Sequence, residues 1–134
     1  METIHTIYLG ELRTEATHVK SGVKLISDAP PDNQGKGESF SPTDLLATSL
    51  GSCMATIMGI ASRTQQIDID GTKIRITKVM ASNPRRVSEI HVEFDMPQRN
   101  YPEKIKKILD HAARTCPVAL SLHPDIRQVV TFNY

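Results

Sequence analysis

The chain has 134 residues, enough for one domain with a real core but not for two independent ones. Sixteen Lys and Arg balance fifteen Asp and Glu, which gives no steering toward nucleic acid or an anionic lipid surface. Trp is absent and Phe and Tyr number three each, too few for a base-stacking platform, and two cysteines are too few for a secreted disulfide scaffold.

The N-terminus, METIHTIYLGEL, lacks the basic stretch and apolar run of a signal peptide, so a soluble, cytoplasmic protein is expected. Thr3 to Leu9, Leu12 to Val19 and Val23 to Ser27 are rich in Ile, Thr, Val and Leu. Gly10-Glu11 and Ser21-Gly22 separate them, which predicts a three-stranded antiparallel meander. Asp28 to Phe40 is a long polar loop, and loops of that length are usually functional or packed on a partner. Ser41-Pro42-Thr43-Asp44 then predicts a helix start: Ser caps, Pro fits the first position, and an acid sits near the positive dipole end.

Leu46, Leu50, Cys53, Met54, Ile57 and Ile60 or Ala61 follow at helical spacing and are expected to face inward. Leu45 to Ser62 holds no charge over 18 residues, the lower bound for a membrane span, but its two glycines and five Ser or Thr favour the buried centre of a globular assembly. Gly51 and Gly59 are small enough for neighbouring helices to approach. Ile67 to Ala81 and Val87 to Met96 read as a strand pair, the second alternating cleanly between an apolar and a wet face. Pro102-Glu103 opens a second helix that should stop near Cys116, because Pro117 disfavours the helical region at the residue before it. Pro117 can start a short helical turn, and Ile126 to Phe132 is a final strand. The order is β-β-β-α-β-β-α-β, one α+β domain over residues 1–134.

Chemistry centres on Cys53 and Cys116. A free cysteine is commonly an inert small hydrophobe, but small and hydroxylic residues surround Cys53, and Cys116 stands at a helix end. A reactive thiol needs a cation or a helix N-terminus nearby. Cys53 lies about three turns into its helix, too far from the dipole end, so the cation must come from elsewhere. Eight arginines are available and spacing does not choose among them. The five histidines are scattered without a metal-binding spacing, so no metal is expected, and no cofactor is implied. Gly35-Lys36-Gly37 lacks the ending of a phosphate-binding loop, Arg85-Arg86 is a solvated hairpin tip, and no Ser-His-Asp arrangement is identifiable.

The segment GESFSPTDLLATSLGSCMATIMGIASR resembles the OsmC/Ohr family of thiol peroxidases. Their central helix carries a cysteine after an (N/S)-P-x-x-L-L-A-x-x-x-x-x-C pattern, here Ser41, Pro42, Leu45, Leu46, Ala47 and Cys53, and Cys116-Pro117 matches the second family cysteine. The resemblance implies antiparallel sheets wrapped around two central helices in an intertwined homodimer. It implies that Cys53 attacks the peroxide bond and becomes a sulfenic acid, that Cys116 resolves it as a disulfide, and that a thiol donor such as a dihydrolipoyl protein reopens it. An arginine from the early strands stabilises the thiolate in the family, and Arg13 is the only arginine before residue 63. In the organic-hydroperoxide members a glutamate anchors that arginine. Thr43 stands at that position here, with Asp44 beside it and Glu38 in the preceding loop as the two acids open to the role. A pocket lined by Leu46 and Met54 would favour organic hydroperoxides over hydrogen peroxide. The rival reading, suggested by Thr43, is a stress, ligand-binding or redox-sensing protein of the same fold without efficient turnover.

Overall fold

Alternating β-branched stretches become strands and capped apolar stretches become helices, in an α+β arrangement. The elements are β1 (Ile4–Gly10), β2 (Arg13–His18), β3 (Lys24–Asp28), α1 (Pro42–Thr64), β4 (Lys73–Ala81), β5 (Arg86–Asp95), α2 (Glu103–Arg114), α3 (Pro117–Ser121) and β6 (Arg127–Asn133). The computed structural model describes residues 1–98 and 100–134. By internal packing the chain divides into two units, Met1–Leu46 and Ala47–Tyr134, with α1 running from one into the other.

In the first unit β1, β2 and β3 form the expected antiparallel meander. The first turn lies one residue later than Gly10-Glu11: Glu11 and Leu12 are its centre, with φ of 53° and 64°. A two-residue hairpin turn matching the strand twist needs positive φ at both central residues, which draws Leu12 out of the strand. The loop after β3 folds back on itself through Gly35, where a Cβ would meet the Ala29 carbonyl oxygen, so only glycine fits. This return brings the Glu38 N–H to Asp28 Oδ2 at 3.2 Å. At the head of α1, Ser41 and Asp44 cap each other: the Ser41 N–H donates to Asp44 Oδ2 at 2.9 Å and the Asp44 N–H to Ser41 Oγ at 3.0 Å.

In the second unit the sheet order is β4-β5-β6. The expectation of wholly antiparallel sheets is corrected here. β4 and β5 are antiparallel, but β6 pairs parallel to β5, because α2 and α3 form a crossover that returns the chain to the same end. β4 also begins at Lys73 rather than Ile67. The Asp70 N–H donates to Asp68 Oδ1 at 2.7 Å and Gly71 has φ of 89°, so the Asp-Ile-Asp-Gly stretch is a turn.

The helix stripe needs correction as well. The buried side chains of α1 in this unit are Ala47, Leu50, Met54, Met58 and Ser62, with Gly51 among them, whereas Cys53 and Ile57 are half-buried and Ile60 is exposed. Gly51 admits a strand rather than a helix: a Cβ there would lie 2.5 Å from Ile76 Cδ1 of β4. α1 is long and apolar enough to cross a membrane by length and composition alone. Its packing on β4 is that of a core helix. Ile90, Val92 and Phe94 of β5 are fully buried on the inward face, while Arg75 and Asn133 both donate to Asp95 on the wet face.

Candidate active site: a thiol pair and a braced arginine

Cys53 and Cys116 both belong to the Ala47–Tyr134 unit, and both are free. Cys53 lies on the flank of the buried stripe of α1 and is half-buried, which leaves its sulfur a route to small molecules. Cys116 has no exposed surface. It stands in extended conformation just before Pro117 and caps α3, its Sγ accepting the Ala119 N–H at 3.4 Å. The two cysteines are close enough for the Cys53 thiol to act on that of Cys116.

Burial pushes the Cys116 thiol above its ordinary value; the Ala119 N–H pulls it back, and the neighbouring Cys53 raises it again. Cys116 is thus held as a neutral thiol, suited to act second, on a sulfur already oxidised.

In the Met1–Leu46 unit, Arg13 is the first residue of β2 and pairs in register with Asp28, the last of β3. Its Nε donates to Asp28 Oδ1 at 2.7 Å and its Nη2 to Asp28 Oδ2 at 2.9 Å, a two-pronged ion pair. Asp28 is only 1% exposed. The Arg13 hydrogen bond holds its carboxyl below the usual range against the opposing effect of burial, and the same bond raises Arg13. Glu38 Oε1 accepts from Arg13 Nη2 at a longer 3.4 Å.

Sequence reasoning placed the anchor of Arg13 at Asp44 or Glu38 and missed Asp28. Glu38 does take part, as the weaker partner, while Asp44 completes the helix cap with Ser41. Thr43 Oγ1 lies 3.2 Å from Ser41 Oγ, within the same cap. The pair was hidden because the turn is centred on Lys20 and Ser21, which sets Arg13 opposite Asp28, whereas a two-residue turn at Ser21-Gly22 would set it opposite Pro30. Leu46 is half-buried, and Met54, expected to line a pocket, is fully buried in the core. An open cavity of about 410 Å³ in the first unit is lined by Gly37, Glu38, Ser39, Phe40 and Asp44, so two of the expected supporting acids share one cavity wall.

No curated protein matches the chain in sequence. Among solved structures, two organic hydroperoxide resistance proteins share the fold. The one from Legionella pneumophila has a TM-score of 0.79 at 13% identity, over 100% of this chain and 98% of that one. The one from Elizabethkingia anophelis has 0.77 at 14%, over 99% and 96%. A Psychrobacter arcticus protein, assigned to osmotic stress induction and the detoxification response, is far nearer. It has a TM-score of 0.96 at 56% identity, over 99% of this chain and 96% of that one. The model of the family described as OsmC-like protein matches residues 35–130, which span the loop carrying Glu38, the whole of α1 and both cysteines. This chain belongs to the OsmC-like family.

Proposed function

We propose that this protein is a thiol-dependent peroxidase that reduces organic hydroperoxides, and hydrogen peroxide less well. Family membership and the likeness to a stress and detoxification protein support a redox or stress protein. The observation that carries the finer reading is a half-buried free Cys53 beside a fully buried free Cys116, near enough to influence each other.

The Cys53 thiolate attacks the outer oxygen of ROOH. The S–O bond forms as the O–O bond breaks, and the alkoxide leaves as ROH after taking a proton, so Cys53 becomes a sulfenic acid. Cys116 Sγ then attacks that sulfur; the S–S bond forms, the S–OH bond breaks, and water leaves with the thiol proton. A dithiol donor, a dihydrolipoyl protein or thioredoxin, supplies the two electrons that reopen the disulfide.

Arg13 is the cation assigned to the Cys53 thiolate, and its two-pronged hold on Asp28 would fix the guanidinium plane in one orientation. The working form is a homodimer, supported by apolar side chains left uncovered in each unit: Ile4, Ile7, Tyr8 and Leu9 of β1 in the first, and Ile60 of α1 in the second. Its place is the cytoplasm, where thiol donors keep cysteines reduced between turnovers.

Counting free thiols after one equivalent of cumene hydroperoxide tests the reading. The reduced protein should lose two thiols per peroxide. Cys53→Ser should lose none and leave the peroxide intact, and Cys116→Ser should lose one. Retention of both thiols by the unsubstituted protein would overturn the peroxidase reading. Oxidation once, without repeated turnover on added dithiol, would favour a redox sensor of the same fold.

A further inference from the structure

We infer that Gln128 is a positioning residue that holds the resolving thiol in line with Cys53 by tethering α3 to the sheet. The consequence for catalysis rests on the peroxidase reading, but the geometric claim stands apart from it.

α3 has five residues, far below the length at which a helix holds itself in water, so its position is set by outside contacts. At its N-terminal end the contact is Cys116, whose Sγ accepts the Ala119 N–H. From the sheet it is Gln128, whose Nε2 donates to the Ala119 carbonyl oxygen at 3.0 Å. One residue, Ala119, therefore gives its N–H to the reacting sulfur and its carbonyl to the sheet.

Gln128 sits where an apolar residue belongs. Ile126, Gln128, Val130 and Phe132 recur every second residue, and Gln128 pairs in register with the fully buried Ile90, as Val130 does with Val92 and Phe132 with Phe94. A carboxamide on that face costs free energy unless its donors are used, and the Ala119 carbonyl uses one. β6 is joined along its length to β5, so Gln128 connects a five-residue helix to a stiff platform. The resolving step needs Cys116 Sγ within bonding distance of the Cys53 sulfur, and its rate scales with the fraction of time α3 keeps it there. Attack on the peroxide does not use the Cys116 sulfur and should not depend on this tether.

Gln128→Met keeps length and approximate volume but removes the donor. In single-turnover reactions with cumene hydroperoxide it should oxidise Cys53 at the unsubstituted rate. Disulfide closure should be about three- to tenfold slower, the worth of one net hydrogen bond, and dimedone should trap correspondingly more sulfenic acid. Val130→Ala, two residues further along the same face of β6, is the control for general loosening. It should lower the melting temperature without changing the partition between trapping and closure. Closure driven by diamide, which joins two thiols as it is reduced to the hydrazine, reads the geometry without a peroxide. Slow diamide closure in Gln128→Met supports the inference even if the unsubstituted protein ignores cumene hydroperoxide, a result that would overturn only the peroxidase reading. Equal closure rates in Gln128→Met and the unsubstituted protein, or the same slowing in Val130→Ala, would overturn the tether.

Discussion

Asp28 carries its charge where almost no water reaches it, with both oxygens engaged by Arg13. Its carboxyl is held below the usual range, so the folded form binds a proton less readily than the unfolded chain. The stabilisation is present in full above the unfolded carboxylate value of about 3.9 and is lost as pH falls through the lower folded value. Denaturant midpoints measured from pH 6 to pH 2 should therefore fall steeply below about pH 4 in the unsubstituted protein. Asp28→Asn should start lower and lack that acid-sensitive portion, and parallel curves for the two would show that Asp28 is not the group responsible. At this scale the two cysteines stood out in the sequence through their rarity, and Arg13 was picked out only by the family resemblance. Asp28 and Gln128 were hidden for one reason: each matters through a partner that only strand register supplies. Asp28 read as the first residue of a polar loop, and Gln128 as one polar letter in an apolar alternation.

At Gly51 α1 approaches its sheet closely. A Cβ there lies 2.5 Å from Ile76 Cδ1 and 3.0 Å from Ile76 Cγ1, while Ile74 Cγ2 is in ordinary contact at 3.4 Å. Alanine gains about 1 kcal/mol of helix propensity, and overpacking costs about 1–3 kcal/mol, so crowding should win by a small margin. Gly51→Ala should destabilise by about 1 kcal/mol, and Ile76→Val, which removes Cδ1, should recover most of that loss in the double variant. Additive effects of the two changes in denaturant unfolding would contradict this contact. The helix starts were readable because caps are local: Ser41 with Asp44, and Pro117 after Cys116, lie within a few residues of one another. The start of β4 was misread because Ile67 and Ile69 alternate like a strand while Asp68, Asp70 and Gly71 make a turn. The direction of β6 was not readable, since its partner β5 lies beyond two intervening helices and no short-range pattern distinguishes parallel from antiparallel return.

Neither unit covers all of its apolar surface. β1 has no buried residue, with Ile7 and Tyr8 more than 60% exposed, and a three-stranded sheet with so little cover is marginal by itself. On α1 only one stripe is covered within the chain, and Ile60 stays exposed. A second copy of the chain is the cover we propose, burying well over about 2,000 Å² in total as permanent interfaces do. Sedimentation at micromolar concentration should give a single species of twice the chain mass, and Ile7→Asp with Ile60→Asp should shift it to monomer or aggregate. A folded, monodisperse monomer of the unsubstituted chain would refute the dimer. The sequence hinted at this through its 18 uncharged residues, although the exposed apolar strand β1 looked like an ordinary meander strand until its burial was known.

The crossover between β5 and β6 gives the thiol pair a place in time. Cys116 rides on the segment that links two parallel strands, and such a pairing closes only after the intervening helices have formed. Cys53, on α1, is in place earlier in the chain and contributes to the core from the other side. On a ribosome making about 5–20 residues per second, Cys53 would emerge seconds ahead of Cys116 and await β6 before the two sulfurs could meet. Oxidative competence would then be the last property the folding chain acquires.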